Sequence, residues 1–355
     1  MRSAALDPQP SRPGTAGRHI DPLRRLKELT MKRRDFLTRS TAAAAGLAAS
    51  QSLLQPLTAD AVGAAAGRTI PRRPLGKTGE QLSIVAMGGI VVMDVDQSFA
   101  NKIVAEAVDR GINYIDIAPS YGKAQERLGP ALKPYRSRVF LAGKELARDK
   151  AGARKELDES LRQLQTDHLD LYQMHALTKV EEVHQALGPG GAIEAFVEAK
   201  KAGKVRFLGF SAHSTEAALT AMDQFDFDTV LFPINFVMYS QANFGPQIIQ
   251  RAREKQMGMM AIKAMAKTVW PASEKKHHPY DKCWYKPAAL PQQAELALRW
   301  TLSQPVTAAI PPGDIDYFRL AMDVAERFTP VNQSETTTLM AQAKGLQPLF
   351  PRRSG

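Results

Sequence analysis

At 355 residues with 44% hydrophobic content, the chain carries enough apolar material for two domains or one large barrel. Net charge is +11, but residues 1–66 hold ten Lys/Arg against five Asp/Glu, and the rest keeps 37 basic against 31 acidic residues. That balance removes the electrostatic case for nucleic acid. A single cysteine, Cys283, excludes an intrachain disulfide framework and any multi-cysteine metal site, and reads as an ordinary loop thiol.

Residues 1–30 are rich in Pro, Arg, Gly and Ser without a sustained apolar period, and read as disordered or as a mis-assigned start, with Met31 as a second initiation point. Residues 31–66 change character. Arg33-Arg34 followed by Phe36-Leu37, a small apolar run over 41–49 and alanine-rich sites near 59–66 resemble a twin-arginine export signal. The run is too short and alanine-rich for a stable membrane span. Such a signal implies the twin-arginine machinery as a partner and a periplasmic location; unused, it implies the cytoplasm.

From residue 69 to 350 strands and helices alternate strictly, which argues for parallel β-α units. A hairpin is expected over 72–79, then a first strand at 82–87 and its helix at 98–110. Further strands are expected at 112–117, 139–143, 169–174, 205–210, 230–234, 259–262 and 307–310. Helical stripes fall at 128–132, around Leu157, Leu161 and Leu164, and at 193–202, 215–222, 248–256, 291–303 and 317–327. Eight units of this size predict an α/β (β/α)₈ TIM barrel with an N-terminal hairpin and an extra C-terminal helix near 335–344. A doubly wound sheet would carry a Gly-x-Gly-x-x-Gly turn after an early strand, which is missing. Residues 266–290 read as one long non-periodic loop bearing Trp270, His277, His278, Tyr280 and Trp284, of the length of a functional lid or else a mobile segment.

Barrel sites gather where strands end, which selects Asp116 with Tyr121 in the following loop, Lys144, His175, Ser211, His213, Asn235 and Lys263. A metal-hydrolase site would want paired histidines on the first strand, and that strand has none. Asp, Tyr, Lys and His meeting at one rim can handle a carbonyl. An ammonium at Lys144 favours the phenolate of Tyr121 and so eases proton donation, Asp116 fixes the lysine, and His175 donates to the carbonyl oxygen. None of the four supplies two electrons, so carbonyl reduction here requires a hydride carrier, of which nicotinamide is the usual one.

Six segments in order, Arg73-Pro-Leu-Gly-Lys-Thr-Gly79, the stretch Asp116 to Gly122, Leu141-Ala-Gly-Lys144, Leu169-Asp-Leu-Tyr-Gln-Met-His175, Gly203-Lys-Val-Arg-Phe-Leu-Gly-Phe-Ser211 and Ile310-Pro-Pro-Gly313, resemble the aldo-keto reductases. The resemblance implies a catalytic tetrad of Asp116, Tyr121, Lys144 and His175. It implies cofactor contacts from Ser211 to the carboxamide, from Lys263 to the phosphates, from Pro311 and Gly313 in the last strand's loop, and from Arg319 to an adenosine 2′-phosphate. The match departs at Ala212, where an asparagine is expected, in Phe232-Pro-Ile-Asn235, which lacks the usual glutamine, at Pro312 in place of a lysine, and at Met322-Asp323 in place of Glu-Asn. The implied activity is NADP(H)-dependent reduction of a small aldehyde or ketone, with NAD(H) the alternative cofactor. Two other readings stay open: a nicotinamide-binding redox sensor or docking subunit with little turnover, and a cofactor-free lyase or isomerase.

Overall fold

The computed structural model describes residues 69–350. The start region assigned to 1–30 and the export signal assigned to 31–66 therefore lie outside the described residues. The expected hairpin is present: β1 (Arg72–Pro74) and β2 (Gln81–Ser83) run antiparallel with Arg73 opposite Leu82. Its turn lies against the main body so closely that a Cβ on Gly76, whose φ is +53°, would come within 2.3 Å of the Gly258 amide nitrogen. Leu75 and Leu82 are fully buried and pack among Tyr114, Phe140, Leu171, Leu231 and Met260, so the hairpin stops one end of the barrel.

The expected first strand over 82–87 is two pieces. Leu82 and Ser83 belong to the hairpin, and β3 (Met87–Gly88) pairs with the next strand of the main sheet. Ser83 divides the run: its N–H donates to Asn113 Oδ1 at 2.7 Å and its hydroxyl to the Val85 carbonyl at 2.8 Å, turning the chain from one sheet into the other.

The other strands follow at the expected places: β4 (Tyr114–Asp116), β5 (Phe140–Glu145), β6 (Leu169–Leu177), β7 (Val205–Ala212), β8 (Thr229–Pro233) and β9 (Gly258–Ile262). The stretch expected as an unstructured loop contains a second hairpin, β10 (Ala266–Val269) with β11 (Tyr285–Pro287), bulged between Ala266 and Thr268. A long connection between its arms hides it from a reading that looks for tight turns. β12 (Ala308–Ala309) completes an eight-stranded parallel sheet from β3 to β12. A parallel bridge between Val85 and Ala309 joins its two edges, with Ala86 N–H donating to the Ala309 carbonyl at 3.0 Å. The result is a (β/α)₈ barrel.

Helices Gln97–Asp109, Ala124–Leu132, Lys150–Leu164, Ala192–Lys201, Thr215–Gln224, Pro246–Glu254, Gln292–Leu302 and Ile315–Glu326 cover it outside, and Gln333–Ala343 is the expected extra helix. Several begin on side-chain caps, Asp96, Asp149, Ser214, Asp314 and Asn332 each accepting a first-turn N–H. Two short helices were not anticipated, Val180–Leu187 and Phe236–Ala242. The first buries only Val183 and Ala186, too narrow a stripe to register as a period. No helix among the described residues is long and apolar enough to cross a membrane.

Candidate active site

Every second residue of a barrel strand faces the axis. Tyr114, Phe140, Ala142 and Leu171 fill the interior with apolar bulk. Two residues after Tyr114, Ala142 and Leu171 the same inward direction belongs to Asp116, Lys144 and Gln173, and His175 stands one inward step beyond. The register pairs Asp116 with Gly88 and Lys144 with Gln173. The change from packing to chemistry thus occurs within one step of the pleat, at the C-terminal rim.

Asp116 is 2% exposed and ion-paired directly to Lys144 Nζ. Its other oxygen accepts from the Tyr114 hydroxyl and from Gln173 Nε2, both at 3.4 Å. A buried carboxylate is tolerated here because a cation and further donors surround it. Lys144 Nζ also lies 3.4 Å from the Ile117 carbonyl and 3.5 Å from the Tyr121 hydroxyl. Burial pulls the lysine's pKa down, but the charges of Asp116 and Tyr121 and their hydrogen bonds outweigh it and leave the pKa raised. Lys144 is an ammonium.

Tyr121 corrects the sequence-based expectation. Burial is the largest influence and raises its pKa, Lys144 pulls it down, Asp116 raises it again, and the balance is upward. The lysine's attraction for phenolate is present, but exclusion of water is stronger. At neutral pH the phenol therefore holds its proton, which is the state an acid must start from. His175 stands edge-on to Tyr121, ring centroids 6.1 Å apart and planes at 87°. Burial, with Lys144 next in importance, pushes the imidazole down to about 2, and among the described residues its buried Nδ1 has no partner. It is a neutral ring, suited to hydrogen bonding and not to acting as a cation.

The four residues line a cleft of about 680 Å³, together with four of the five residues expected on the cofactor side: Ser211, Lys263, Pro311 and Gly313. Ser211 Oγ accepts from the Ala176 N–H at 2.7 Å, which leaves the hydroxyl hydrogen for another acceptor. Lys263, in a left-handed backbone conformation at φ 62°, rests its ammonium on the rings of Trp284 and Tyr285, 5.2 and 5.3 Å from their centroids. Burial lowers it to about 8, and it forms no salt bridge among the described residues. Gly313 packs so tightly on Ile90 that a Cβ would sit 2.2 Å from its Cγ2. Arg319 is the exception. It does not line the cleft but grips Glu106 of helix Gln97–Asp109 with Nε at 3.1 Å and Nη2 at 2.8 Å, a partner 213 residues away in sequence.

Sequence reasoning passed over Tyr114 and Gln173, which buttress Asp116. Their signal was parity, since each lies two residues before a chosen site residue on the same strand. It also left the long loop uninterpreted. That loop lays the exposed Trp284 along the cleft and ties itself across it by Lys282 Nζ donating to the Val91 carbonyl at 2.9 Å.

Comparison with known proteins points to a family. Over 148 residues the chain is 36% identical to the aldo-keto reductase YhdN of Bacillus subtilis, covering 37% of this chain and 42% of that one. Over 186 residues it is 31% identical to the L-galactose dehydrogenase of Arabidopsis thaliana, covering 48% and 57%. The chain spans about half the length of the curated relatives it matches. Among solved structures, an aldo-keto reductase from Bacillus halodurans in its holo form superposes with a TM-score of 0.61 at 22% identity, over 80% of this chain and 99% of that one, which bears on the fold. The model of the aldo/keto reductase family matches residues 86–314, from the first barrel strand to the loop beyond the last. With that span covered, the chain belongs to the aldo/keto reductase family.

Proposed function

We propose that the protein reduces a small aldehyde or ketone with NADP(H), with Tyr121 as the general acid. Members of its family are oxidoreductases acting on carbonyls with NAD(P)H. The observation that carries the reading is the chain of contacts Asp116–Lys144–Tyr121 beside a neutral His175, all facing one cleft. As the carbonyl carbon gains a hydride its oxygen gains negative charge. His175 donates a hydrogen bond to that oxygen, Tyr121 delivers the proton that completes the alcohol, and the Lys144 ammonium stabilises the phenolate left behind. Asp116 keeps the ammonium in place.

A reduced nicotinamide, when bound, supplies the hydride. The cleft's donors fit such a group: Ser211 has a hydroxyl hydrogen to offer a carboxamide, and Lys263 is a desolvated cation without a carboxylate among the described residues, suited to a phosphate. Preference for NADP(H) over NAD(H) rests on Arg319, which must leave Glu106 to meet a 2′-phosphate.

Tyr121→Phe tests the mechanism. It keeps the ring and removes the proton, so kcat should fall by about 10²–10⁴ while fluorescence titration with NADPH stays as in the wild type. Undiminished hydride transfer in single turnover would refute the role. Tight NADPH binding by the wild type with no transfer to any of a broad aldehyde and ketone panel would favour the sensor reading. The export proposal has a separate test: with Arg33 and Arg34 both changed to lysine, the protein should stay in the cytoplasm, and unchanged periplasmic recovery would defeat it.

A further inference from the structure

His175 reaches the cleft through a break in its own strand. β6 and β7 pair regularly up to Met174–Phe210 and again at Leu177–Ala212, so two residues of β6 lie opposite Ser211 alone. That is a bulge, a device that re-aims a side chain. Within it Ala176 adopts φ 56°, a left-handed conformation that alanine takes only where its surroundings hold it there. Both polar atoms of the peptide joining His175 to Ala176 are taken by side chains. Arg148 Nη2 donates to the His175 carbonyl at 2.6 Å, and the Ala176 N–H donates to Ser211 Oγ at 2.7 Å.

Arg148 is itself held. Its carbonyl accepts from the Ala192 N–H at 3.1 Å, its Nη1 donates to the Leu146 carbonyl at 3.2 Å, and that same nitrogen lies 3.8 Å from Oε1 of the fully buried Glu145. Among the described residues neither Glu145 oxygen has a hydrogen-bond partner, and Arg148 is the basic side chain that lies against this carboxyl. The guanidinium therefore spans from β5, four residues past Lys144, to the backbone of His175.

We propose that Arg148 and Ser211 hold the His175–Ala176 peptide from its two sides and so set the direction in which His175 meets the carbonyl, Arg148 being a positioning residue. The inference rests on the carbonyl-reductase reading. It also links the cofactor to the imidazole, because the hydroxyl available to a carboxamide is the one that holds Ala176.

Arg148→Met and Arg148→Lys in the full chain test it, with three measurements on each: amide exchange at Ala176 by NMR, NADPH affinity, and kcat apart from KM. In Arg148→Met, exchange at Ala176 should rise and kcat should fall by about 10–100-fold, the scale of a small misplacement of a reacting group, with NADPH affinity nearly unchanged. Arg148→Lys, which still donates one hydrogen bond, should recover part of kcat. Wild-type exchange and kcat in Arg148→Met would overturn the proposal, as would equal loss of folding and NADPH binding in both variants, which would mark a merely structural arginine. Faster Ala176 exchange in Arg148→Met, with no carbonyl turnover even in the wild type, would uphold the grip on the peptide and defeat the reaction, so the two failures are told apart.

Discussion

Two buried polar clusters at opposite ends of the barrel are treated in opposite ways. At the N-terminal end Asp170, 4% exposed, accepts from Arg136 at 3.0 Å, Arg206 at 2.7 Å and the Leu141 N–H at 2.9 Å. Arg136 spends its other donors on Thr166 and on the carbonyls of Val139 and His168. At the C-terminal end, among the described residues, Lys263 has no carboxylate, and His175 Nδ1 and Gln173 Oε1 have no partner. Saturated groups hold a fold together, whereas unsaturated ones are available to a ligand. On β5 the two regimes are two residues apart, Ala142 in the core and Lys144 in the cleft.

The largest expected effect comes from removing the one strong pair at the reactive end. Lys144→Met leaves Asp116 as a buried, uncompensated charge, which should cost about 3–5 kcal/mol in urea unfolding, and turnover should fall by about 10²–10⁴. Adding Asp116→Asn should restore much of the stability and none of the rate. Recovery of both would mean that the pair serves only packing.

Leu82→Ala probes the other end. Emptying the stopper should cost about 2–5 kcal/mol, with kcat of the folded fraction unaltered; a loss of kcat in protein shown to be folded would join the two ends that are here held apart. Glu145→Gln has a smaller effect that depends on pH. Burial pushes this carboxyl from its ordinary 4.5 up to about 9. The folded state therefore binds a proton that the unfolded state has released, and stability declines as pH rises through that window. Glutamine removes the decline, so thermal melts of the two proteins should coincide near pH 4.5 and favour the variant at pH 8. His175 and His213, lowered to about 2 and about 3 chiefly by burial, act with the opposite sign, their contribution being lost as pH falls below the ordinary histidine value. The smallest change is expected from Glu106→Gln. Releasing Arg319 from an exposed ion pair should improve NADPH affinity relative to NADH by about 0.2–1 kcal/mol, and an equal change for both nucleotides would remove Arg319 as the discriminator.

The barrel and the meeting of Asp116, Tyr121, Lys144 and His175 at its rim were legible because both are local: strand period, helix stripe and a residue at each strand's end can be read in short windows. What was hidden depends on distant partners. The bulge that presents His175 needs Arg148 and Ser211, 27 and 35 residues from the atoms they hold. The acidity of Tyr121 was misjudged because exclusion of water is a property of the assembled cleft, while its lysine neighbour could be inferred from order along the chain. Arg319 was visible as an arginine, but its bond to Glu106 was not.

The seam between the first and last strands also bears on how the chain is made. Arg73 donates to the Val306 carbonyl at 2.8 Å, Thr307 to the Pro74 carbonyl at 2.9 Å, and Val85 bridges Ala309. During synthesis the earliest part of the barrel must wait, unpaired on one side, until residues near 309 leave the ribosome. Contacts so far apart in sequence slow folding, and the waiting strand edges are places where nascent chains stick to one another. A chain stalled before β12 should thus be aggregation-prone and lean on chaperones, while release of β12 should let the ring close.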